Sequence, residues 1–269
     1  MTELNTEQNH KPPRRAALIT GAARRLGAAM ARALAREGWF VVIHCNHSRS
    51  EGEALVAELQ ATGAGAALVC GPLSAKAEAE AIFAGAVALA GPLSLLVNNA
   101  SAFQSDDLST ADEAGLALHM AVNLGAPLWL MQQFGAQEAL PGDALVVNML
   151  DNKLFALNPD FFTYTLSKAA LRAATEMAAQ SSGGRPRVCA IAPSITLISG
   201  AQSARDFERT SRINPLGRRV FPDDICEALL MLCADRGLNG ETLVVDGGQR
   251  HWRLPRDVAF LDEKDIPLG

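Results

Sequence analysis

Metal ligands, basic clusters and long apolar runs are scarce in this chain of 269 residues. Its five cysteines contain no Cys-x-x-Cys pair and do not group with the five histidines, so neither a zinc site nor a disulfide framework is predicted. The formal net charge is −5 and basic residues occur only in short pairs, which gives no footprint for nucleic acid or an anionic membrane. No uninterrupted run approaches the roughly eighteen apolar residues of a membrane span. A small-molecule partner is therefore favoured, with no metal, nucleic acid or membrane.

The composition beyond a short leader predicts one folded domain. Residues 1–15 are polar, contain Pro12-Pro13 and lack the apolar segment of a signal peptide, so we expect a disordered lead-in. Hydrophobic residues make up 49% of the chain and charged residues 20%, which is enough for a large core. Residues 16–269 are expected to form this domain, with a C-terminal extension at 249–269. We expect a cytoplasmic protein with reduced thiols.

Short apolar runs alternate with helix-like stretches from residue 16 onward, as in repeated βα units. Seven runs are predicted as strands: Ala16–Thr20, Phe40–His44, Ala66–Cys70, Leu95–Asn98, Ala144–Met149, Arg187–Ile191 and Thr242–Val245. Helical spacing between them predicts crossover helices. The fold class is therefore α/β, a Rossmann-type doubly wound sheet of about seven parallel strands. Ligands of such sheets bind outside the carboxyl ends of the strands.

The first strand runs into a glycine-bearing turn that opens a helix, at residues 20–27. Gly21 permits a tight turn and Gly27 permits close packing, while Arg25 stands where the usual fingerprint has its middle glycine. Backbone N–H groups at such a turn can hold a pyrophosphate. Ordinary loop punctuation is the alternative, but the position after strand one favours a dinucleotide.

The end of the second strand has no acidic residue that would bind the ribose 2′-hydroxyl of NAD. Instead, four residues can surround a 2′-phosphate, namely Arg25, His47, Ser48 and Arg49. This pattern predicts NADPH as the cofactor. Alternatively, Arg49 is only a solvated residue at the N-terminus of the next helix.

The only tyrosine of the chain, Tyr164, precedes Lys168 by one helical turn, so both project from one face. A phenol with a reference pKa of about 10 is a poor acid–base group at neutral pH unless a nearby ammonium stabilises its phenolate. The spacing predicts such a pair, and a helix-surface pair is the alternative.

Over residues 16 to 250 the chain resembles the short-chain dehydrogenase/reductase family. The matching motifs are Thr-Gly-x5-Gly at 20–27, Asn98-Asn99-Ala100, Asn123, Tyr164-x-x-x-Lys168 and Val245-Asp246-Gly247-Gly248. The resemblance implies that Tyr164 is the proton donor and that Lys168 lowers its pKa and holds the nicotinamide ribose. It also implies that Asn123 carries a water that links Lys168 to solvent.

Departures from the family pattern resemble its pteridine reductase branch, which includes bacterial dihydromonapterin reductases. Asp151 stands where most members have a catalytic serine, Arg25 replaces a glycine, and Ser101 follows Asn98-Asn99-Ala100. Phe103 falls where that branch has an aromatic ring that sandwiches the pterin against the nicotinamide. Asp151 is expected to hydrogen-bond Tyr164 or to feed a proton towards a ring nitrogen. The alternatives are a core aromatic for Phe103 and a capping carboxylate for Asp151.

The resemblance implies further contacts. The implied substrate contacts are Arg25, Ser101, Phe103, Asp151 and Tyr164. Besides the turn and 2′-phosphate residues, the implied cofactor contacts are Leu26, Asn99, Ala100, Ser101, Tyr164, Lys168, Pro193, Ser194 and Thr196. Gly71-Pro72 replaces the aspartate that binds adenine in the family.

Two segments beyond the motifs also carry expectations. Residues 197–221 are interpreted as a mobile lid over the substrate, or as an ordinary helical excursion. The segment 249–269, with Trp252, Leu254 and Phe260, is expected to pack against a neighbouring subunit, because members of the family commonly form tetramers.

The function predicted from these residues is NADPH-dependent reduction of a dihydropterin to a tetrahydropterin, with Tyr164 as proton donor. One alternative is a reductase of another small carbonyl or imine compound. The other is a dinucleotide-sensing protein without turnover, which intact Tyr164, Lys168 and Asn123 argue against.

Overall fold

The computed structural model describes residues 15–198 and 202–261. Within them, seven strands form one parallel sheet in the order β3-β2-β1-β4-β5-β6-β7. The strands are β1 (Ala16–Ile19), β2 (Phe40–Cys45), β3 (Ala66–Cys70), β4 (Leu95–Asn98), β5 (Leu145–Met149), β6 (Arg187–Pro193) and β7 (Thr242–Val245). The strand order reverses between β1 and β4, which is the place where open α/β sheets bind ligands.

Helices connect the strands. They are α1 (Arg25–Arg36), α2 (Arg49–Ala61), α3 (Lys76–Ala90), α4 (Glu113–Met120), α5 (Ala126–Gly135), α6 (Phe162–Ser181), α7 (Ala204–Thr210) and α8 (Pro222–Ala234). A π-turn, Ala121–Gly125, joins α4 to α5, and short 3-10 turns occur at Asn152–Phe155, Gln249–Trp252 and Val258–Phe260. The predicted α/β class and the number of strands are thus confirmed.

The sheet buries apolar side chains on both faces, which explains why its strands are almost continuously apolar in sequence. In β1, Ala17 and Ile19 pack on the face covered by α1 and α8. Ala16 and Leu18 point to the other face and pack with residues of α3 and α5, such as Phe83 and Phe134. Packing on both faces therefore fixes the sheet and sets the positions of the carboxyl ends of its strands.

One helical stretch among the described residues, Glu113–Gly135, is long and apolar enough by composition to cross a membrane, with a mean hydropathy of 1.3. It comprises α4, the π-turn and α5. In the fold this stretch packs against α3 and α6, and a third of its most apolar window is buried. It also carries the fully buried polar side chains of His119 and Asn123.

Some expectations fall partly outside the described residues. This applies to 1–14 of the expected lead-in, to 199–201 of the expected lid, and to 262–269 of the C-terminal extension. The described part of 197–221 contains α7, so a helical excursion is present there.

Candidate active site

The turn after β1 admits only glycine at two positions. Gly21 has φ +62°, and a Cβ on it would lie 3.0 Å from the Cα of Ala100. A Cβ on Gly27 would lie 2.6 Å from the backbone oxygen of Gly21. Each close approach brings backbone against backbone, as a cradle for a pyrophosphate at a helix N-terminus requires. Arg25 also has a positive φ, +57°, so it occupies a glycine-like conformation at the position of the missing middle glycine.

The loop after β4 is bound to this turn. Thr20 Oγ1 accepts hydrogen bonds from the backbone N–H groups of Asn99 and Ala100, both at 2.9 Å. The side-chain amide of Asn99 donates to the backbone oxygens of Thr20 and Gly21. The two segments that the sequence assigned to the cofactor therefore form one unit.

His44, at the end of β2, was not singled out by the sequence but ties three strand ends together. Its Nδ1 accepts from the N–H of Gly21 at 3.1 Å, so Nε2 carries the proton and donates to the oxygen of Gly71 at 2.9 Å. Burial lowers the pKa of His44, although the bond to Gly71 opposes this shift, and the ring is therefore neutral. A histidine inside an apolar strand was the available sequence signal.

The residues after β2 divide into two groups. His47 and Ser48 line the cavity described below. Arg49 does not line it. Its side chain is 65% exposed and lies 3.6 Å from Glu53 in the same helix, so the structure favours the solvated alternative for this residue. Arg24, which the sequence did not assign, lines the cavity instead.

Tyr164 and Asp151 are in direct contact. Asp151 follows β5 and Tyr164 lies in the first turn of α6, and the phenol donates to Asp151 Oδ2 at 2.9 Å. Asp151 Oδ1 accepts from the backbone N–H of Lys153 at 2.9 Å. This bond caps the 3-10 turn, so the capping alternative and the contact with Tyr164 hold together.

Burial governs the acid–base properties of this pair. Desolvation raises the pKa of Asp151, although the bonds from Lys153 and Tyr164 oppose the shift. Desolvation, and then the neighbouring Asp151 carboxylate, raise the pKa of Tyr164 well above its usual value. The phenol is therefore held protonated, which is the form a proton donor needs.

Lys168 lies near Tyr164 without a hydrogen bond to the phenol. Its ammonium donates to the backbone oxygen of Met149 at 2.7 Å and lies 5.8 Å from the centre of the Tyr164 ring. Desolvation lowers the pKa of Lys168 to about 8, and Asp151 opposes this shift. In this structure the pKa of Tyr164 is raised and not lowered, first by desolvation and then by the carboxylate of Asp151. The effect of Lys168 on the phenol stays a prediction.

Asn123 is fully buried in the π-turn, and its side chain is occupied by the loop after β4. Its Oδ1 accepts from the N–H of Ala102 at 2.7 Å and from Ser101 Oγ at 3.1 Å. Its Nδ2 donates to the oxygen of Ala102 and to Ser167 Oγ. These partners make Asn123 a support for the loop, and its side chain does not line the cavity. The water-carrying role implied by the resemblance stays a prediction.

Phe103 is 46% exposed, so it is not the core aromatic of the alternative reading. Its ring stacks on Phe161 with a centroid distance of 4.4 Å and an interplanar angle of 19°. It also meets the ring of Tyr164 edge-on at 4.7 Å. Phe161 itself has φ +54°, an uncommon conformation for a bulky residue. An aromatic platform therefore lies directly beside the phenol.

The segment after β6 completes the rim. Ser194 donates its N–H to Val245, and Thr196 is buried. Arg25 donates to the oxygen of Ile198 at 2.5 Å, which joins the turn after β1 to this segment. Pro193, Ser194 and Thr196 all line the cavity.

The C-terminal segment packs on its own chain. Leu254, Val258 and Leu261 form a buried cluster with Ile213. Phe260 stacks on Phe161 at 5.7 Å. Leu254 is buried within the chain, whereas Phe260 remains 43% exposed, so the expected packing of this segment against a neighbouring subunit stays a prediction.

Together the strand ends and the C-terminal segment enclose a cavity of about 1290 Å³. This exceeds the roughly 300–1,000 Å³ of a drug-sized ligand pocket, so it has room for a dinucleotide and a small substrate. Of the site residues predicted from the sequence, Arg49 and Asn123 alone do not line it. Within 15–198 and 202–261, no group of three or more His, Cys, Asp or Glu side chains could hold a metal ion.

Comparison with known proteins identifies the class. A family model described as enoyl-(acyl carrier protein) reductase matches residues 21–250. D-threitol dehydrogenase of Mycolicibacterium smegmatis is 31% identical over 257 residues, which cover 91% of this chain and 96% of that protein. The chain therefore belongs to the short-chain dehydrogenase/reductase family.

Two solved structures are similar in fold and sequence. FolM alternative dihydrofolate reductase 1 from Brucella canis, complexed with NADP, is 39% identical with a TM-score of 0.84, covering 89% of this chain and 95% of that one. The protein of the same name from Brucella suis, also in complex with NADP, is 38% identical with a TM-score of 0.81, covering 88% and 95%.

Proposed function

We propose that this chain is an NADPH-dependent pteridine reductase that converts a dihydropterin to its tetrahydro form. The coarser statement is secure: it is an NADP-dependent oxidoreductase of the short-chain family. The observation that carries the finer proposal is the 2.9 Å hydrogen bond from Tyr164 to Asp151 beside the exposed ring of Phe103. A serine at position 151 would place no carboxyl group beside the phenol of Tyr164, and so no second acidic group at the site.

The cofactor site fits a phosphorylated dinucleotide. Gly21 and Gly27 leave the close approach that a pyrophosphate needs, and the N-terminus of α1 faces the same cavity. Arg24, His47 and Ser48 are the residues that would hold the 2′-phosphate, since none of the residues directly after β2, 46–48, is acidic. NADPH, when bound there, supplies the hydride.

The residues of the chain supply orientation and the proton. The face of Phe103 turned away from Phe161 orients a flat heterocycle by stacking. Ser101 and Arg25, which both line the cavity, can hydrogen-bond its polar edge. Tyr164 donates its proton to the ring nitrogen of the reduced C=N bond. Asp151 lines the cavity and lies 2.9 Å from the phenol oxygen, so it can take up a proton from solvent and pass it to the phenolate that the transfer leaves behind.

The titles of the similar solved structures support this choice of substrate class, because both proteins are named as alternative dihydrofolate reductases. Dihydrofolate carries the same reducible dihydropterin ring. The relative named as a threitol dehydrogenase instead favours an alcohol or carbonyl substrate. The substrate comparison must therefore include both chemistries.

The test is NADPH oxidation with dihydrobiopterin, dihydromonapterin and dihydrofolate, set beside a panel of simple ketones and ketoses. Turnover of the pterins, lost in Tyr164→Phe, is the expected result. Turnover of ketones alone would overturn the proposed substrate, and NADPH binding without any turnover would indicate a dinucleotide sensor.

The proposal includes a cytoplasmic homotetramer. Helices α4, α5 and α6 expose apolar side chains that an isolated chain leaves to water: Leu116, Leu128, Leu166 and Met177. Light scattering of the purified chain measures the subunit number, and a monomer at micromolar concentration would contradict this part.

A further inference from the structure

We infer that His119, Thr163 and Asp106 form a positioning network. It holds the loop after β4, which carries Phe103, against the N-terminus of α6, which carries Tyr164. The network thereby fixes the stacking ring relative to the proton donor Tyr164. The inference rests on the proposed function for the role of Phe103. None of the three side chains lines the cavity, so they act through their neighbours and are not catalytic residues.

The N-terminus of α6 has no cap of its own. Its N-cap residue, Phe161, has an apolar side chain that accepts no hydrogen bond. Asp106, from the loop after β4, takes over this role, because both carboxylate oxygens accept the N–H of Thr163, at 3.2 and 3.3 Å. Its backbone oxygen also accepts the N–H of Phe162. A carboxylate satisfies the free N–H groups of a helix start and interacts favourably with the helix dipole.

His119 of α4 connects this cap to the residue after Phe103. The ring is fully buried, and its Nε2 accepts from the backbone N–H of Gln104 at 3.1 Å. A backbone N–H can only donate, so the ring proton resides on Nδ1, which donates to Thr163 Oγ1 at 2.8 Å. The Thr163 hydroxyl is then free to donate to Asp106 Oδ2, as the structure shows.

The three hydrogen bonds run from Gln104 to His119, from His119 to Thr163 and from Thr163 to Asp106. Their directions are fixed, because the backbone N–H of Gln104 can only donate and each later donor follows from it. Burial lowers the pKa of His119, although the charge of Asp106 opposes this shift, and the neutral ring keeps Nε2 available as an acceptor. The network therefore exists in one arrangement and not as a set of interchangeable contacts.

The consequence for the site follows from sequence neighbours. Gln104 directly follows Phe103, and Thr163 directly precedes Tyr164. The network therefore connects the residue after Phe103 to the residue before Tyr164, while the rings of Phe103 and Tyr164 are in contact at 4.7 Å. Loss of one bond would loosen the loop and move the stacking ring away from the phenol. Small misplacements of this kind are costly to a reaction that depends on orientation.

Thr163→Val tests the network most cleanly, because it removes the hydroxyl and preserves the shape and the backbone cap. We expect a roughly tenfold rise in the KM for dihydropterin, with a smaller effect on kcat and an unchanged Kd for NADPH, since a buried hydrogen bond and its orphaned partners contribute on this scale. Thr163→Ser restores the hydroxyl and should recover most of the wild-type KM.

Thr175→Val is the matched control on the same helix. Thr175 is also fully buried, and its hydroxyl donates to Leu171 and accepts from Asn148, away from the cavity. This variant should lower the melting temperature and leave the KM unchanged. If Thr163→Val also lowers only the melting temperature, the network has a structural role alone and the inference is overturned.

Two further results separate this inference from the proposed function. If the wild type reduces only carbonyl compounds, the proposed substrate is wrong, and the same KM comparison with that substrate still decides the role of the network. Isotope-edited NMR of the His119 ring needs no turnover. A proton on Nδ1 is expected, and a proton on Nε2 would overturn the inference, because Gln104 would then have no acceptor.

Discussion

At the scale of single residues, the account depends on the contact between two acidic groups, Tyr164 and Asp151, whose pKa values are raised by burial. Tyr164 and Asp151 share one hydrogen bond in a desolvated pocket, and the pKa of each is raised. Because the two groups are 2.9 Å apart, Asp151 can return a proton to Tyr164 after Tyr164 has given its own to the substrate. Lys168, in contrast, donates to the backbone oxygen of Met149, and its ammonium lies 5.8 Å from the centre of the Tyr164 ring without a hydrogen bond to the phenol.

Replacing Tyr164 by phenylalanine removes the donor and preserves the ring that meets Phe103. We expect kcat to fall by roughly 100- to 10,000-fold, the usual contribution of general acid catalysis. The Kd for NADPH, measured by titration, should change little. A kcat within a factor of about three of wild type would contradict the assignment of the donor.

The pH dependence should report Lys168. Because burial lowers its pKa to about 8, its ammonium is lost as the pH rises through that value. Tyr164 remains protonated there, since its own pKa is raised. Loss of this charge should weaken the hold on the nicotinamide ribose that the family resemblance assigns to Lys168, so we expect kcat/KM to fall as the pH rises through about 8.

The control for this profile is Lys168→Arg, whose guanidinium stays charged over the whole range. It should remove the alkaline limb, whatever its absolute activity. An alkaline limb that persists unchanged in this variant would assign the titration to another group.

At the scale of elements, the turn between β1 and α1 is the part that the sequence determines most tightly. Gly27→Ala would force a Cβ to within 2.6 Å of the Gly21 oxygen and 2.7 Å of the Asn99 amide. We expect a loss of NADPH binding together with a destabilisation of about 1–3 kcal/mol, as for other overpacked sites. Calorimetric titration and thermal melting measure the two effects.

Gly142→Ala provides the control for that experiment. Gly142 is exposed, and a Cβ on it would meet nothing within 4 Å. It should bind NADPH as the wild type does. Equal behaviour of the two alanine variants would show that the close approach at Gly27 is not needed.

Element positions were largely predictable because apolar periodicity and turn glycines are local signals. The predicted bounds of β3, β4 and β7 coincide with those observed, and β1, β2, β5 and β6 differ by one or two residues at one end. The contact of Asp151 with Tyr164 was also predicted, since the motif spacing places both at one edge of the sheet.

Other features could not be predicted because they join segments that are distant in the chain. Asp106 caps α6, which begins 56 residues later at Phe162, and no local sequence pattern predicts this contact. The direction of the Tyr164 pKa depends on burial and on the orientation of Lys168, which the spacing alone does not give. The solvated position of Arg49 could not be predicted, because a residue at a helix start can face solvent as easily as a cofactor.

At the scale of the whole molecule, the C-terminal segment closes the site from its own chain. Arg256 and the N–H of Asp257 both bond to the buried carboxylate of Asp160, and Lys153 lies 3.1 Å from Asp257. Burial alone would raise the pKa of Asp160, but these bonds outweigh it and hold the pKa below its usual value. This link joins the end of the fold to the start of α6.

Asp160→Asn tests the link, because it removes the charge and keeps the size of the side chain. Hydrogen exchange in residues 249–261 should speed up, and the KM for the substrate should rise, since Phe260 and Asp257 line the cavity. Glu176→Gln, which breaks an exposed ion pair with Arg172 elsewhere in α6, should change neither. Unchanged exchange in Asp160→Asn would show that apolar packing alone holds the segment.

The most direct test of the central claim compares two substrates in two proteins. The ratio of kcat/KM for a dihydropterin to that for a simple ketone is measured in the wild type and in Asp151→Ser. The account predicts that the wild type prefers the dihydropterin and that the variant loses roughly 100-fold or more of this preference, the scale of a general acid contribution. A wild type that prefers the ketone, or a ratio that the substitution leaves unchanged, would contradict it.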